Sequence, residues 1–600
     1  MQTAERVLSI LKQKSKQDES YVYDRIYRNF FNEDFFLRAY QKIHAKQGNM
    51  TPGTDGKTID GFNRKQIANL IELLKWERYQ PSPVRRTYIP KKSGKLRPLG
   101  IPTFADKLVQ EVARQMLEAI YEPVFSDNSH GFRPNRSCHT ALYQIKSTSR
   151  GTNWVIEGDI TACFDNIDHD ILLKILSKKI RDGRFLELIR RFLKAGYLEF
   201  RQKHNSLSGT PQGGIISPIL ANIYLHEFDK FMEGITAEYS KGKMRRPFHE
   251  YHVLSTIRTR ALNRGQQEIA DEYLRQMQVM PALDPMDEDY LRAKYVRYAD
   301  DFIVCVIGSK ATAEEIKEKI AHFLSSELHL ELSHEKPKVT NLSDRNVPFV
   351  GYEISKSKEN SKQAVDSIGR KKRSVNGTIQ LLVPGHVIQE KLKPFRKRGK
   401  AYPYVARVNL PVMDIINLYN AEIRGLYHYY CLATDVSKKL ATFKFYHYYS
   451  MIKTIARKEK STVRKVIQKY GVDVPRKVGN GTVRVVGIRY NTKNGQKTMT
   501  YFNDSLKKKS KPEGECLDTF GQIFSGGQLM KRMSADRCEL CGAETSDIQI
   551  HHVRKLKDVV RKYRKRGETI PNWVRMMSVI KRKTLVVCHD CHVKIHNGKL

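Results

Sequence analysis

One short segment limits the fold more than any other: YVRYADDFIVCV, residues 295–306, in which two runs of β-formers meet at Asp300 and Asp301. The pattern predicts a strand, a tight turn and a returning strand, with the acids projecting from the tip. An isolated Asp-Asp pair is usually an ordinary turn. It becomes chemistry when a third acid joins from another element, and Asp159, closing the β-rich run NWVIEGDI, is the candidate. Carboxylates converging from two elements suit two Mg²⁺ ions about 4 Å apart, an arrangement that serves nucleotidyl transfer.

Composition says what such a centre would act on. Lys and Arg number 106 against 64 Asp and Glu, a net charge of +42, so an extended polyanion is the natural partner. With 40% hydrophobic residues and 10% aromatics the chain should pack rather than stay disordered, and 600 residues suggest about four domains. No apolar run approaches the ~20 residues needed to cross a bilayer. The expectation is a soluble cytoplasmic chain, in the bacterial cytosol or nucleoid-associated, with no membrane partner. Of nine Cys, Cys538, Cys541, Cys588 and Cys591 form two CxxC pairs, the spacing of one tetrahedral Zn²⁺ rather than of disulfides.

Along the chain, residues 1–80 combine helical periodicity (IANLIELLKWERY) with a Gly-rich turn, NMTPGTDGKTIDGF, and read as an N-terminal extension. Residues 81–365 read as an α+β core carrying a charged insertion at about 232–292. A basic helical region follows at 366–480, then a basic, strand-rich segment at 481–534 and a small Cys/His-rich module at 535–600.

In order, EGDITACFDNID, GTPQGGIISP, YADD, HEKPKV and PFVGYEI resemble the block series of reverse transcriptases. LRPLGIPTFADKLVQ and SHGFRPNRSCHTAL narrow the resemblance to group II intron-encoded proteins that join reverse transcriptase, maturase and endonuclease parts. It extends over the whole chain. The fold it implies is multidomain α+β: a right-hand polymerase with fingers and palm, a helical thumb/maturase domain, a DNA-binding segment and a small zinc-stapled ββα HNH domain. It further implies that Asp159 and Asp300 hold Mg²⁺ with Asp301 as a third acid, and that the ring of Phe164 lies under the sugar and rejects a 2′-hydroxyl. Gln212 would contact the incoming nucleotide, Lys91, Lys92 and Arg97 would face the triphosphate, and Lys336 would lie near the primer. From the residues alone, Phe164 reads equally as a core ring, and any of these basic residues as a solvated surface charge.

In the basic helical region, Arg457 and Lys458 are the RNA-binding candidates, while of Tyr427, Tyr429 and Tyr430 at least two should be core. At the C-terminus the resemblance makes His552 the general base and His551 and His592 ligands of a nuclease Mg²⁺, with His596 an alternative ligand. The family's middle Asn has no clear counterpart, since Asn572 lies far upstream of Cys588. A zinc-ribbon DNA binder with non-cutting histidines is the alternative.

The function implied is intron mobility: RNA-directed DNA polymerase, maturase and HNH endonuclease in one chain, with its group II intron RNA, target DNA and dNTPs as partners. Two other readings are a splicing cofactor whose catalytic centres are relics, and a stand-alone reverse transcriptase of a defence or diversification system. Monomer and homodimer are both open.

Overall fold

The computed structural model describes all residues except 1, 45, 47, 91–93, 95, 200–201, 205–212, 285–286, 334–337, 360–361, 366–370, 374, 477–479, 493–494, 513–527 and 566. It is a mixed α/β, multidomain chain organised on two hydrophobic cores. Between them stands a four-stranded antiparallel sheet in the order Arg292–Tyr298, Asp301–Ile307, Trp154–Asp159, Val339–Asn341.

Period-two alternation explains how one sheet feeds both cores. Phe302, Val304 and Val306 face the first core, whereas Ile303 and Cys305 face the second. Ile156 and Val155 divide in the same way. A strand buried on both faces needs apolar residues at every position, which is why FIVCVI is a continuous hydrophobic run.

The first core also takes in the N-terminal helices Ala4–Gln17, Glu33–His44 and Arg64–Lys75, so the N-terminal segment packs directly on the body that carries the central sheet. At its centre lies Phe104–Tyr121, a helix buried on nearly all sides and capped by Thr103, whose hydroxyl accepts from the Asp106 N–H at 3.1 Å. Gly53 lets the N-terminal turn close on this cap: a Cβ there would lie 2.6 Å from the Thr103 Cα. A second four-stranded sheet runs Leu96–Ile101, Val84–Pro90, Tyr197–Glu199, Gln202–His204. Within the inserted region, His249–Asn263 and Gln267–Val279 form a helical hairpin.

The second core holds the helices Val412–Tyr430 and Val436–Lys458, against which a sheet of Gly471–Pro475, Thr482–Thr492 and Gly495–Thr500 packs. The C-terminal module pairs Ile548–His552 with Thr584–Cys588 and ends in the helix His589–His596. Its free strand edge is taken by the N-terminal segment. The Gly61 N–H donates to the Ile550 carbonyl and the Ile550 N–H to that of Phe62, both at 3.0 Å. This contact brings the module into the first core. Among the described residues, no helix is long and apolar enough to cross a membrane.

Candidate functional site

Asp159 is the last residue of its strand and the direct cross-strand partner of Asp301. Tyr298 pairs with Asp301, leaving Ala299 and Asp300 as a two-residue turn, and Ala299 takes the positive φ of 59° that such a turn needs. Three acids therefore gather at one end of the sheet. Burial, then the Asp300 and Asp159 carboxylates, push the Cys163 thiol up to about 12, so both charges act on one place. The turn is held from beneath. Gly131 closes on it so tightly that a Cβ would lie 2.3 Å from the Ala299 nitrogen, and Arg297, fully buried, donates to the Ala299 carbonyl at 2.8 Å. The same guanidinium pairs with buried Asp229 at 2.6 and 2.8 Å and donates to the Ser129 hydroxyl.

Phe164 is the second residue of the short helix Cys163–Asn166, half-buried, with its ring edge-on to the exposed ring of Phe132 at 6.1 Å. Arg97 is exposed on the strand Leu96–Ile101. Lys91, Lys92, Gln212 and Lys336 lie outside the described residues. Gly213, next to Gln212, approaches the strand Leu96–Ile101 so closely that a Cβ would lie 2.6 Å from the Gly100 carbonyl oxygen.

In the C-terminal module the four thiols of Cys538, Cys541, Cys588 and Cys591 lie within 4.8 Å of one another, a set that fits one tetrahedral Zn²⁺. Burial disfavours the Cys538 thiolate, but N–H groups of Cys541, Cys588 and Leu540 outweigh it and bring the thiol down to about 7. A second cluster joins His551, His592 and His596 with Asp60 from the N-terminal segment, again within 4.8 Å. His551 and His592 thus stand together, and His596 stands with them rather than as a substitute. Three imidazoles and one carboxylate suit a borderline transition ion better than Mg²⁺. His552, buried beside them, meets the Tyr40 hydroxyl at 2.7 Å through Nε2, and burial brings its pKa down to about 4. Asn572 is exposed at the start of a helix, and the next residue, Trp573, sets its ring edge-on to His551 at 5.2 Å.

Comparison with known proteins now places the chain. Residues 89–241 match the family described as Reverse transcriptase (RNA-dependent DNA polymerase), 380–520 Type II intron maturase, and 538–592 AI2M/AI1M-like, HNH endonuclease. The Group II intron-encoded protein LtrA of Lactococcus lactis subsp. cremoris is 39% identical over 98% of both chains. The chain belongs to the group II intron-encoded proteins. An uncharacterized 91 kDa protein in a cob intron of Schizosaccharomyces pombe is 34% identical over all of this chain and 73% of that one. The putative COX1/OXI3 intron 1 protein of Saccharomyces cerevisiae is 32% identical over 95% of this chain and 68% of that one. A group II intron-encoded protein of this build is an RNA-directed DNA polymerase with maturase and HNH endonuclease domains.

In this group II intron-encoded protein the maturase helices use their tyrosines for packing. Tyr427 and Tyr430 are buried and Tyr429 is exposed, yet the hydroxyls of Tyr429 and Tyr430 donate to the Val350 and Gly351 carbonyls, fixing the helix Val412–Tyr430 to the turn of PFVGYEI. Arg457 is exposed in the last turn of Val436–Lys458, and Lys458 is half-buried beside Glu459. Reasoning from sequence missed Arg297, Asp60 and Tyr40. An Arg inside the β-run YVRY was a signal for the first; Asp60 and Tyr40 stand in an ordinary turn and an ordinary amphipathic helix.

Proposed function

We propose that the protein binds its own intron RNA, assists its splicing, nicks a target DNA strand and extends the nicked 3′ end by copying that RNA. The observation that supports this most is the convergence of Asp159, Asp300 and Asp301 at one sheet end, in a chain whose far end gathers three histidines. Bound at Asp159 and Asp300, with Asp301 alongside, Mg²⁺ would activate a primer 3′-hydroxyl and offset charge on the leaving pyrophosphate. The protein's own groups do the positioning. Arg297 and Gly131 fix the height of the turn. Phe164, in the short helix just past Asp159, would stand where a 2′-hydroxyl has to be rejected. Arg97, Lys91, Lys92 and Gln212 would receive the dNTP, and Lys336 the primer end.

In the C-terminal module, Cys538, Cys541, Cys588 and Cys591 hold Zn²⁺ for stability in this reading, while His551, His592 and His596 hold the nuclease cation. His552 would take the proton from the attacking water. Arg457 and Lys458 would meet intron RNA phosphates, and the basic segment 481–534 the target DNA. An Asp300→Ala protein should lose cDNA synthesis on a primed RNA while still supporting splicing; loss of both would contradict separable roles. For the nuclease, His552→Ala is preferable to deleting 535–600, because deletion would uncover Phe62 and Tyr40. That variant should stop nicking and spare copying. Light scattering of the purified ribonucleoprotein would show whether a homodimer forms.

A further inference from the structure

Asp60 stands far from the C-terminal module in sequence, yet its carboxylate lies at the centre of the module's histidines. Oδ1 is 3.3 Å from His551 Nδ1 and 3.4 Å from His592 Nε2, and Oδ2 is 2.8 Å from His596 Nε2. The Nε2 atoms of His592 and His596 are themselves 3.3 Å apart. A hydrogen-bonded His/Asp cluster would satisfy its buried members. This one does not: His551 is only 4% exposed, and while its Nδ1 meets the Asp60 carboxylate at 3.3 Å, its Nε2 makes no hydrogen bond. A cation accepting lone pairs from all the donors explains an unpaired nitrogen on a buried imidazole that a purely structural cluster leaves unexplained.

The approach of Asp60 is also built. The backbone just after it, at Gly61 and Phe62, is paired to both the carbonyl and the N–H of Ile550, the His552 N–H donates to Asp60 Oδ1 at 2.6 Å, and Phe62 stacks on Tyr40 with ring centres 3.9 Å apart. Gly61, at φ 76°, runs so close over the site that a Cβ would lie 3.2 Å from His592 Cε1. We propose that Asp60 is a ligand of the nuclease cation, so that one divalent transition ion, held by His551, His592, His596 and Asp60, joins the N-terminal segment to the C-terminal module. The inference rests on the three-histidine reading above and adds to it a ligand from the polymerase end of the chain. Loading of that ion then depends on how the two ends are docked.

The test uses untagged full-length protein with its cysteine-bound zinc in place, in excess Mg²⁺ to fill the polymerase acids, titrated calorimetrically with Ni²⁺. Asp60→Ala and Asp60→Asn should each weaken Ni²⁺ binding by about tenfold or more, and His592→Ala should do at least as much. Hydrogen exchange at the Gly61 and Ile550 amides should slow on Ni²⁺ addition in the parent and not in Asp60→Asn. Asp60→Asn keeps the shape of the side chain, and unchanged copying of a primed template would show that it folds. Parent-like Ni²⁺ affinity in Asp60→Asn would overturn the proposal. If His592→Ala still lost the site, a three-histidine centre would stand without Asp60; if His592→Ala also bound like the parent, the three-histidine reading would fall as well.

Discussion

The ion pair of Arg297 and Asp229 has both side chains fully buried, and the guanidinium also carries the turn that presents Asp300. Burial disfavours the Arg297 charge, but the Asp229 carboxylate outweighs it and raises the pKa further. Removing one partner leaves the other charged and dry, which typically costs 3–5 kcal/mol, roughly. Arg297→Met should therefore lower the urea midpoint strongly, and residual cDNA synthesis should fall further than residual fold. An Arg297→Met, Asp229→Leu double variant should recover stability but not polymerase rate, because the Ala299 carbonyl is still unheld. Full recovery of rate would refute a positioning role. At this scale the acids were legible because the chemistry dictates their type and their place at strand ends. Asp60 was not: an Asp in a Gly-rich turn has a sufficient local reason to be there, and its histidine partners come from the opposite end of the chain.

Among the elements, the strand Trp154–Asp159 depends on Gly158. A Cβ there would lie 2.0 Å from the Phe302 ring, inside the sheet's first core face. Gly158→Ala should cost about 1–3 kcal/mol of stability through overpacking and displace Asp159, the next residue. Gly158→Ala with Phe302→Leu should restore part of both, read by thermal melting and single-nucleotide incorporation. In the C-terminal module, Cys588 ends a strand and Asp60 touches the neighbouring one, so two separate contacts fix one small sheet. Making Cys588→Ser should speed hydrogen exchange across Ile548–His552 while leaving the strands Trp154–Asp159 and Asp301–Ile307 protected. Uniform loss of protection would mean that the module does not respond separately. Strand and helix types followed from periodicity. Pairing did not: Gly471–Pro475 joins Thr482–Thr492 across the point where composition shifts near residue 480, because ladder partners are chosen by packing on the helices and not by local composition.

For the whole molecule, charge and burial make opposite kinds of prediction. With +42 net charge, and if about 8 Lys and Arg side chains meet phosphates, RNA affinity should fall by orders of magnitude over a few-fold rise in salt; a flat titration would refute it. Stability should fall in acid. Burial brings His130 and His226 from 6.5 down to about 4, so both stay neutral in the fold while the unfolded chain takes up protons near 6.5. Their contribution is intact above about pH 6.5 and is lost as the pH falls towards about 4, at up to ~1.4 kcal/mol per unit for each. The urea midpoint should drop between pH 7 and pH 5. The sequence by itself determined the polymerase hairpin, the polyanionic partner and the four-cysteine site, because strand period, net charge and ligand spacing are local or summed properties of the chain. Only the tertiary structure decided that one sheet serves two cores, that Arg297 carries the Ala299–Asp300 turn, and that Asp60 and Tyr40 reach the histidines of the C-terminal module. Each of these depends on segments distant along the chain burying one another, and no local spacing encodes that.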